Sequence, residues 1–166
     1  MGSGKSHIGK QLAQLLDYLF IDTDHLLENT EGSSIAQIFE TKGEVAFRQL
    51  ESDTLKGLSK WDNIVVATGG GAPCFYDNMT YINNSGISIY LKTDSNLLLQ
   101  RLLPERDKRP LLRGRTEPEL LDFIKNKVAE RETFYIQAHI IIEQNENSDD
   151  IVFDILQKIL NHRIAN

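Results

Sequence analysis

The first residues of the chain have the composition of a phosphate-binding loop. Gly4, Lys5 and Ser6 fill the last three fixed positions of the pattern G-x-x-x-x-G-K-[ST], and its first glycine would fall two residues before Met1. In such a loop the backbone N–H groups and the lysine bind phosphate oxygens, while the serine hydroxyl binds Mg²⁺. The residues therefore predict phosphate binding at the start of the chain. A flexible, glycine-rich terminus is the alternative interpretation.

Two carboxylates follow the first strand pattern. The apolar run 18–21 predicts a strand buried on both faces, and Asp22 and Asp24 come directly after it. Open α/β sheets bind ligands at the carboxyl ends of their strands, and side chains two residues apart on a strand share one face. The pair therefore suits ligand chemistry, and it suits a polar turn with a helix N-cap equally well.

A cation and an anion lie three residues apart in the predicted helix 44–58. Arg48 and Glu51 would share one face of that helix. Exposed ion pairs of this kind contribute almost nothing to stability, and spacing alone favours this interpretation. The alternative is an arginine presented to an anionic substrate, with the glutamate holding its guanidinium group.

Three consecutive glycines, residues 69–71, follow the β-branched strand pattern 63–67. Each ordered glycine costs conformational entropy, so a run of them directly after a strand requires a reason. We predict that the backbone passes close to a ligand at this point and offers it N–H donors. A flexible turn is the alternative.

A cationic loop interrupts the regular pattern at residues 104–116. Five of its residues are lysine or arginine, although the net charge of the chain is −6. In an enzyme of phosphate chemistry such a loop would close over the nucleotide as a lid. It would exclude water and bring arginine to the transferring phosphoryl group. A solvated surface loop is the alternative.

The bulk composition fits one soluble domain of 166 residues. The net charge of −6 argues against nonspecific binding to nucleic acid or to an anionic membrane. Cys74 is the only cysteine, which excludes an intrachain disulfide, and none of the four histidines shows metal-ligand spacing. The sequence has neither a membrane-length apolar run nor a signal peptide, so we expect a cytoplasmic protein.

Strand patterns alternate with amphipathic helical patterns along the chain. Four strands are predicted, and alternation of this kind is typical of an α/β domain with a parallel sheet. Among the helix signals, Ser34 marks a start, Gly43 marks a break, and Thr116 with Glu119 forms a capping box at a later start.

Together these motifs make the chain resemble the shikimate kinases, a family of nucleoside-monophosphate-kinase-like P-loop enzymes. The phosphate loop alone is widespread, whereas the combination of Asp-x-Asp, Phe-Arg-x-x-Glu and three glycines in this order is far more specific. The matching segments are Gly-Ser-Gly-Lys-Ser at 2–6, Phe-Ile-Asp-Thr-Asp at 20–24, Gly-Glu-x-x-Phe-Arg-x-x-Glu at 43–51, Ala-Thr-Gly-Gly-Gly-Ala at 67–72, Arg-Pro-Leu-Leu at 109–112 and Arg-x-x-x-Tyr at 131–135.

The resemblance implies Mg²⁺-dependent transfer of the γ-phosphate of ATP to the 3-hydroxyl of shikimate, a step of aromatic amino acid biosynthesis. Ser6 would hold Mg²⁺ directly, and Asp22 would hold it through water. Lys5 and Arg109 would act on the transferring phosphoryl group. The residues implied for nucleotide binding are Gly2, Ser3, Gly4, Lys5, Ser6, His7 and Arg109.

The resemblance also implies an acceptor site. Asp24 would bind the hydroxyls of shikimate and act as the base or orienting group for the 3-hydroxyl. Arg48 and Arg131 would bind the carboxylate, with Glu51 positioning Arg48. The backbone that lines the pocket would come from Gly69, Gly70 and Gly71.

The fold that the resemblance implies is a three-layer α/β/α P-loop kinase with a parallel sheet of order 2-3-1-4-5. Strand 1 of that sheet leads into the phosphate loop and has no counterpart among the four predicted strands, so we expect a chain that lacks its N-terminal strand. One domain, 1–166, would contain substrate-binding helices at about 23–60 and the lid at about 104–116. Arg101 and Arg106 both remain candidates for stacking on adenine.

Two other functions stay open. One is a related small-molecule kinase such as a gluconate kinase, which the Phe-Arg-x-x-Glu and triple-glycine combination disfavours. The other is a nucleotide-binding paralogue with impaired catalysis. We expect ATP and shikimate as partners, neither nucleic acid nor membrane, and a monomer.

Overall fold

The computed structural model describes residues 2–108, 111–145 and 150–165 of the chain. Its helices and strands alternate, as the sequence predicts. In chain order they are α1 Lys5–Leu16, β1 Leu19–Asp22, α2 Thr23–Glu31, α3 Ile35–Leu58, β2 Ile64–Ala67, α4 Asn78–Ser85, β3 Ile89–Thr93, α5 Ser95–Leu102, α6 Glu117–Tyr135, β4 Ile140–Gln144 and α7 Ile151–Ala165. Short 3-10 helices lie at Ala72–Cys74 and Leu103–Lys108.

The strands pair in two parallel ladders. β1 lies beside β2 with Asp22 opposite Ala67, and β3 lies beside β4 with Thr93 opposite Gln144. Without strand 1, the order 2-3-1-4-5 consists of strands 2 and 3 as one pair and strands 4 and 5 as another. The described residues contain two pairs of this kind. In each pair the carboxyl ends of both strands lie at the same edge, which is where ligands bind in parallel α/β sheets.

The chain divides into two compact units. The first unit is Lys5–Ser88, and the second unit combines Met1–Gly4 with Ile89–Asn166. The first unit contains β1 and β2, and the second contains β3 and β4. The single domain over 1–166 stays a prediction.

Helix α1 packs closely on β1 in the first unit. Ile8, Leu12 and Ala13 are buried on its inner face. Gly9 allows the close approach, since a Cβ at this position would lie 2.7 Å from the Phe20 ring. This packing fixes the start of α1 relative to the end of β1.

The next two helices begin and end at recognisable capping residues. Asp22 caps α2 by accepting a hydrogen bond of 3.1 Å from the Asp24 N–H, and Gly32 ends that helix with a φ of 64°. Helix α3 begins at the capping box of Ser34. The predicted break at Gly43 is confirmed, because its φ of 77° and ψ of 171° interrupt the regular backbone inside α3.

One hydrophobic cluster of the first unit lies between α2 and α3, whereas β1 is less buried than predicted. The buried side chains of this cluster are Leu27, Ile38 and Phe47, with Ile35, Phe39 and Leu50 packed against them. Leu19 of β1 exposes 53% of its surface, and the other three residues of the strand are half-buried. The main neighbours of β1 in this unit are α1, β2 and α2, and its amino end is exposed at Leu19.

One hydrophobic cluster of the second unit lies between α5 and α6. Its buried residues are Leu98, Leu99, Leu102, Leu112, Leu120 and Ile124. The predicted capping box of Thr116 and Glu119 is confirmed at the start of α6. Leu112, which belongs to the segment predicted as a lid, is fully buried in this cluster. None of the helices among the described residues is long and apolar enough to cross a membrane.

Candidate active site

A serine hydroxyl and a carboxylate meet at the end of β1. Ser6 Oγ donates a hydrogen bond of 2.5 Å to Asp22 Oδ2, and the other oxygen of that carboxylate accepts from the Asp24 N–H. Hydroxyl and carboxylate oxygens are hard ligands of the kind that Mg²⁺ takes beside phosphate oxygens and water, so the pair fits this ion. Groups of three or more metal-ligating side chains are absent from the described residues, so water and phosphate would have to complete the coordination.

Asp24 faces the glycine run, which is residues 69–71. Its Oδ1 lies 2.7 Å from the position that a Cβ would take on Gly69. Asp24 belongs to the first turn of α2, so the prediction that it shares a strand face with Asp22 is wrong, and the N-cap interpretation of Asp22 is correct. The helix starts immediately after β1, and this turns Asp24 out of the strand direction.

The environment of Asp24 raises its affinity for a proton. Desolvation by the surrounding protein raises the pKa of Asp24 above its ordinary value of 3.8, and the neighbouring charge of Asp22 raises it further. Lys5 acts in the opposite direction with a smaller effect. The side chain nevertheless keeps contact with solvent. A carboxylate of raised proton affinity is suited to accept a proton from a hydroxyl group.

Arg48 is enclosed by carboxylates. Its Nη1 donates to Glu51 Oε2 at 2.6 Å, and its Nη2 donates to Glu44 Oε1 at 3.0 Å. The side chains of Arg48 and Glu51 expose only 11% and 7% of their surfaces. The exposed ion pair that spacing alone favours is therefore wrong. Phe75 and Gly71, which lie outside α3, contribute to this burial, and helical spacing carries no information about them.

Three phenylalanine rings surround the same guanidinium group. Its carbon lies 4.1 Å from the ring centroid of Phe75, 5.2 Å from that of Phe47 and 5.6 Å from that of Phe39. Cation–π contacts of this type contribute about 0.5–2 kcal/mol each. The rings and carboxylates together hold Arg48 in one orientation, so a carboxylate ligand would meet an ordered cation.

The glycine run gives space to these charged groups. A Cβ on Gly69 would lie 2.7 Å from Asp24 Oδ1 and 2.7 Å from Glu51 Oε1. A Cβ on Gly71 would lie 2.5 Å from Arg48 Nη1. Because real Cβ atoms essentially never approach other atoms within 3.0 Å, larger residues would displace the carboxylates or the arginine.

Thr23 connects the glycine run to the end of β1. Its buried hydroxyl donates to the Ala67 carbonyl at 3.4 Å and accepts from the Gly69 N–H at 3.0 Å. The Gly69 N–H is therefore used inside the protein instead of serving as a ligand donor. Thr23 is absent from the predicted site residues, and the only signal for it is its place between two carboxylates at a strand end.

A glutamine holds the phosphate loop in the second unit. Gly2 and Gly4 have the positive φ values, 73° and 83°, that a tight loop requires. Gln144, which ends β4 and is buried, donates from Nε2 to the Ser3 carbonyl at 2.9 Å. Arg101 in turn donates to Gln144 Oε1 at 3.1 Å. Sequence reasoning missed Gln144, because nothing in the local pattern relates it to a loop at the other end of the chain.

The remaining predicted residues lie on separate elements. Lys5 begins α1, and His7 is exposed on the same helix. Gly70 is half-buried in the glycine run. Arg131 lies on α6 in the second unit. Arg109 lies outside the described residues.

Arg101 and Arg106, the two candidates for stacking on adenine, both make hydrogen bonds within the second unit. Arg101 donates to Gln144, and Arg106 donates from Nη1 to the Arg115 carbonyl at 3.0 Å. These contacts favour neither of the two as a stacking residue.

Three features define the class of the protein: the phosphate loop, the Ser6–Asp22 pair and the enclosed Arg48. Together with the parallel strand pairs, they are those of a P-loop small-molecule kinase. A family model for shikimate kinase matches residues 1–160. The chain belongs to the shikimate kinase family, and the predicted family and P-loop kinase fold are confirmed.

Relatives and solved structures agree over nearly the whole chain. A shikimate kinase of Bacteroides fragilis is 39% identical over 100% of this chain and 95% of its own length. One from Azobacteroides pseudotrichonymphae is 41% identical over 96% of this chain and 95% of its own length. The crystal structure of shikimate kinase from Bacteroides thetaiotaomicron has a TM-score of 0.89 at 37% identity, covering 97% of this chain and 94% of its own. Shikimate kinase from Acinetobacter baumannii in complex with shikimate has a TM-score of 0.87 at 39% identity, covering 97% of this chain and 89% of its own.

Proposed function

We propose that this protein transfers the γ-phosphoryl group of ATP to the 3-hydroxyl of shikimate. The observation that carries the proposal is that Asp24 Oδ1 and Arg48 Nη1 both face the glycine run. A carboxylate base and an ordered guanidinium on one backbone segment suit an acceptor with a hydroxyl group and a carboxylate. Shikimate is such a molecule, and the family membership supports it.

Ser6 and Asp22 would hold the magnesium ion that accompanies ATP. Ser6 Oγ would bind it directly, and the Asp22 carboxylate would bind one of its waters. When bound, the ion neutralises charge on the phosphate oxygens. Asp22 keeps Ser6 in place before the ion arrives, because the two side chains are hydrogen-bonded to each other.

Asp24 would take the proton of the attacking hydroxyl. As the oxygen of the 3-hydroxyl forms its bond to the γ-phosphorus, the bond from that phosphorus to the bridging oxygen of ADP breaks. The hydroxyl proton goes to the Asp24 carboxylate, whose raised pKa suits this role. Lys5 and Arg109 would stabilise the charge on the transferring group.

Arg48 and Arg131 would bind the carboxylate of shikimate. Glu51 and Glu44 orient the Arg48 guanidinium group, and the phenylalanine rings exclude water around it. Positioning of this kind supplies much of the catalytic effect in phosphoryl transfer. We expect the protein to act on a free small molecule as a monomer.

The decisive experiment is a turnover assay on the whole chain with ATP and Mg²⁺. We expect ADP formation with shikimate, none above background with gluconate, and loss of turnover when EDTA removes the metal. Equal or better turnover of gluconate would reject shikimate as the acceptor. Binding of shikimate and ADP without turnover would instead support a nucleotide-binding paralogue.

A further inference from the structure

The glycine run is held at both of its ends by buried polar side chains. Thr23 bonds the Gly69 N–H at its start, and Asn78 bonds the Ala72 carbonyl directly after its end. We infer that Thr23 and Asn78 are positioning residues, which set the backbone of the acceptor pocket without touching shikimate. The inference rests on the proposed function for its kinetic consequence, and on the first unit alone for its geometry.

Thr23 extends the strand pairing by one step. The ladder between β1 and β2 ends at Asp22 and Ala67, because Thr23 already belongs to α2. Beyond the ladder, the Thr23 hydroxyl makes the hydrogen bonds that a backbone group would otherwise make. It donates to the Ala67 carbonyl and accepts from the Gly69 N–H. Thr23 exposes only 6% of its surface, so water has little access to replace the hydroxyl. This contact fixes the direction in which the chain leaves β2.

Asn78 fixes the other end. Its Nδ2 donates to the Ala72 carbonyl at 2.8 Å, and its Oδ1 accepts from Ser52 Oγ at 2.8 Å. Asn78 and Ser52 each expose only 1% of their surfaces. Ser52 directly follows Glu51 on α3, so the end of the glycine run is tied to the helix that carries Arg48 and its carboxylate partner.

These two contacts matter because glycines do not restrain their own backbone. Gly69 lies against Asp24 and Gly71 lies against Arg48, with no room for even one added methyl group. A shift of the run by a few tenths of an ångström would press on both groups or draw away from them. Thr23 and Asn78 therefore act on acceptor binding through the glycine run.

The first test replaces the Thr23 hydroxyl at constant shape. For Thr23→Val we expect the KM for shikimate to rise about tenfold, because the buried Gly69 N–H loses its acceptor and the Ala67 carbonyl loses its donor, with the KM for ATP changed by less than about twofold. Thr23→Ser restores the hydroxyl and should bring the KM for shikimate back to within about threefold of wild type. Equal rises in both KM values, or no rise in a folded Thr23→Val protein, would overturn the inference.

The second test addresses Asn78 through its partner. Ser52→Ala leaves the Asn78 oxygen without its donor, and we expect the KM for shikimate to rise about threefold. Ser88→Ala is the matched control, because Ser88 is also buried and its Oγ donates to Asn83 Oδ1 at 2.6 Å, away from the glycine run. The inference fails if both variants change the KM for shikimate equally. If Thr23→Val does not fold, the comparison of Ser52→Ala with Ser88→Ala tests the inference instead.

Amide hydrogen exchange separates the inference from the proposed function. In ligand-free protein the Gly69 amide should exchange at least about tenfold faster in Thr23→Val than in wild type, because its acceptor is gone. Unchanged exchange in a folded variant would reject the positioning role whatever the substrate is. If wild-type protein does not phosphorylate shikimate while Gly69 exchange does accelerate, the proposed function fails and the positioning role stands.

Discussion

At the scale of single residues, the position of Asp24 in the proposed site lowers the stability of the fold. Its carboxylate is partly desolvated beside Asp22, and both effects raise its pKa. A carboxyl group with a raised pKa stabilises the fold fully below its unfolded pKa, and this contribution is lost as the pH rises through the folded pKa. Above its folded pKa the ionised Asp24 therefore opposes folding, which is the cost of placing the proposed base in this environment.

Asp24→Asn should be less active and more stable than wild type. We expect kcat for shikimate to fall by about 100-fold or more, since the proton acceptor is lost. The free energy of unfolding in urea should rise at neutral pH, and the difference from wild type should disappear below the ordinary aspartate value of 3.8. An active Asp24→Asn protein, or one less stable than wild type at neutral pH, would contradict this account.

Gly71→Ala should weaken acceptor binding through Arg48. The new methyl carbon would lie 2.5 Å from Arg48 Nη1, so the guanidinium group has to move. We expect the KM for shikimate to rise about tenfold or more, as measured by initial rates at saturating ATP. Gly57→Ala on α3 is the control, because a Cβ there meets nothing within 4 Å, and its kinetics should match wild type.

At the scale of elements, the sequence predicts local features better than contacts between distant segments. The helix start at Ser34, the capping box at Thr116 and the break at Gly43 all depend on residues within one turn, and all are found. The bonds from Thr23 to Gly69 and from Gln144 to Ser3 join residues 46 and 141 positions apart. Such contacts depend on which strands become neighbours, and strand and helix periodicity does not encode that.

The same limit explains the errors in the candidate site. The type of each site residue is readable, because phosphate loops and carboxylates after strands have recurring chemistry. The surroundings of Arg48 cannot be read from the sequence in this way. Phe75 contacts Arg48 from another segment, and the pair of Arg48 and Glu51, which spacing alone suggests is exposed, is buried. The apolar run 87–91 by itself predicts a strand at those residues, and the observed strand is Ile89–Thr93, because apolar runs define strand ends poorly.

Gln144→Leu should weaken nucleotide binding selectively. This change puts an apolar side chain of similar length at the end of β4, and it removes both the bond to the Ser3 carbonyl and the acceptor of Arg101. We expect the KM for ATP to rise about tenfold while the KM for shikimate changes by less than about twofold, which initial-rate kinetics would measure. A selective rise in the KM for shikimate would show that the phosphate loop is held in some other way.

At the scale of the whole molecule, ligands should stabilise the fold according to their own sites. A ligand at 100 times its Kd adds about 2.7 kcal/mol to the free energy of unfolding. We expect shikimate and Mg²⁺–ADP each to raise the thermal midpoint of wild type. Arg48→Lys should abolish most of the shikimate effect, because an ammonium group cannot reproduce the planar, paired hydrogen bonds of a guanidinium.

Retention of the ADP effect by Arg48→Lys is the internal control, since it shows an intact fold. Lys127→Gln provides a second control, because it removes an ion pair of the same i,i+3 spacing whose partners expose 38% and 60% of their side chains. Its response to both ligands should equal that of wild type. Loss of both effects in Arg48→Lys would point to unfolding instead of a binding defect.

The aromatic enclosure of Arg48 has a consequence for how natural variants are interpreted. Phe39, Phe47 and Phe75 carry no charge, and two of them come from the same helix as the arginine. They restrict the guanidinium during folding, so its conformational entropy is already lost before an anion arrives. Conservative aliphatic replacements of these rings would consequently appear harmless by sequence and yet lower the affinity for a carboxylate. The positions around this cation should therefore tolerate fewer substitutions than their burial alone would suggest.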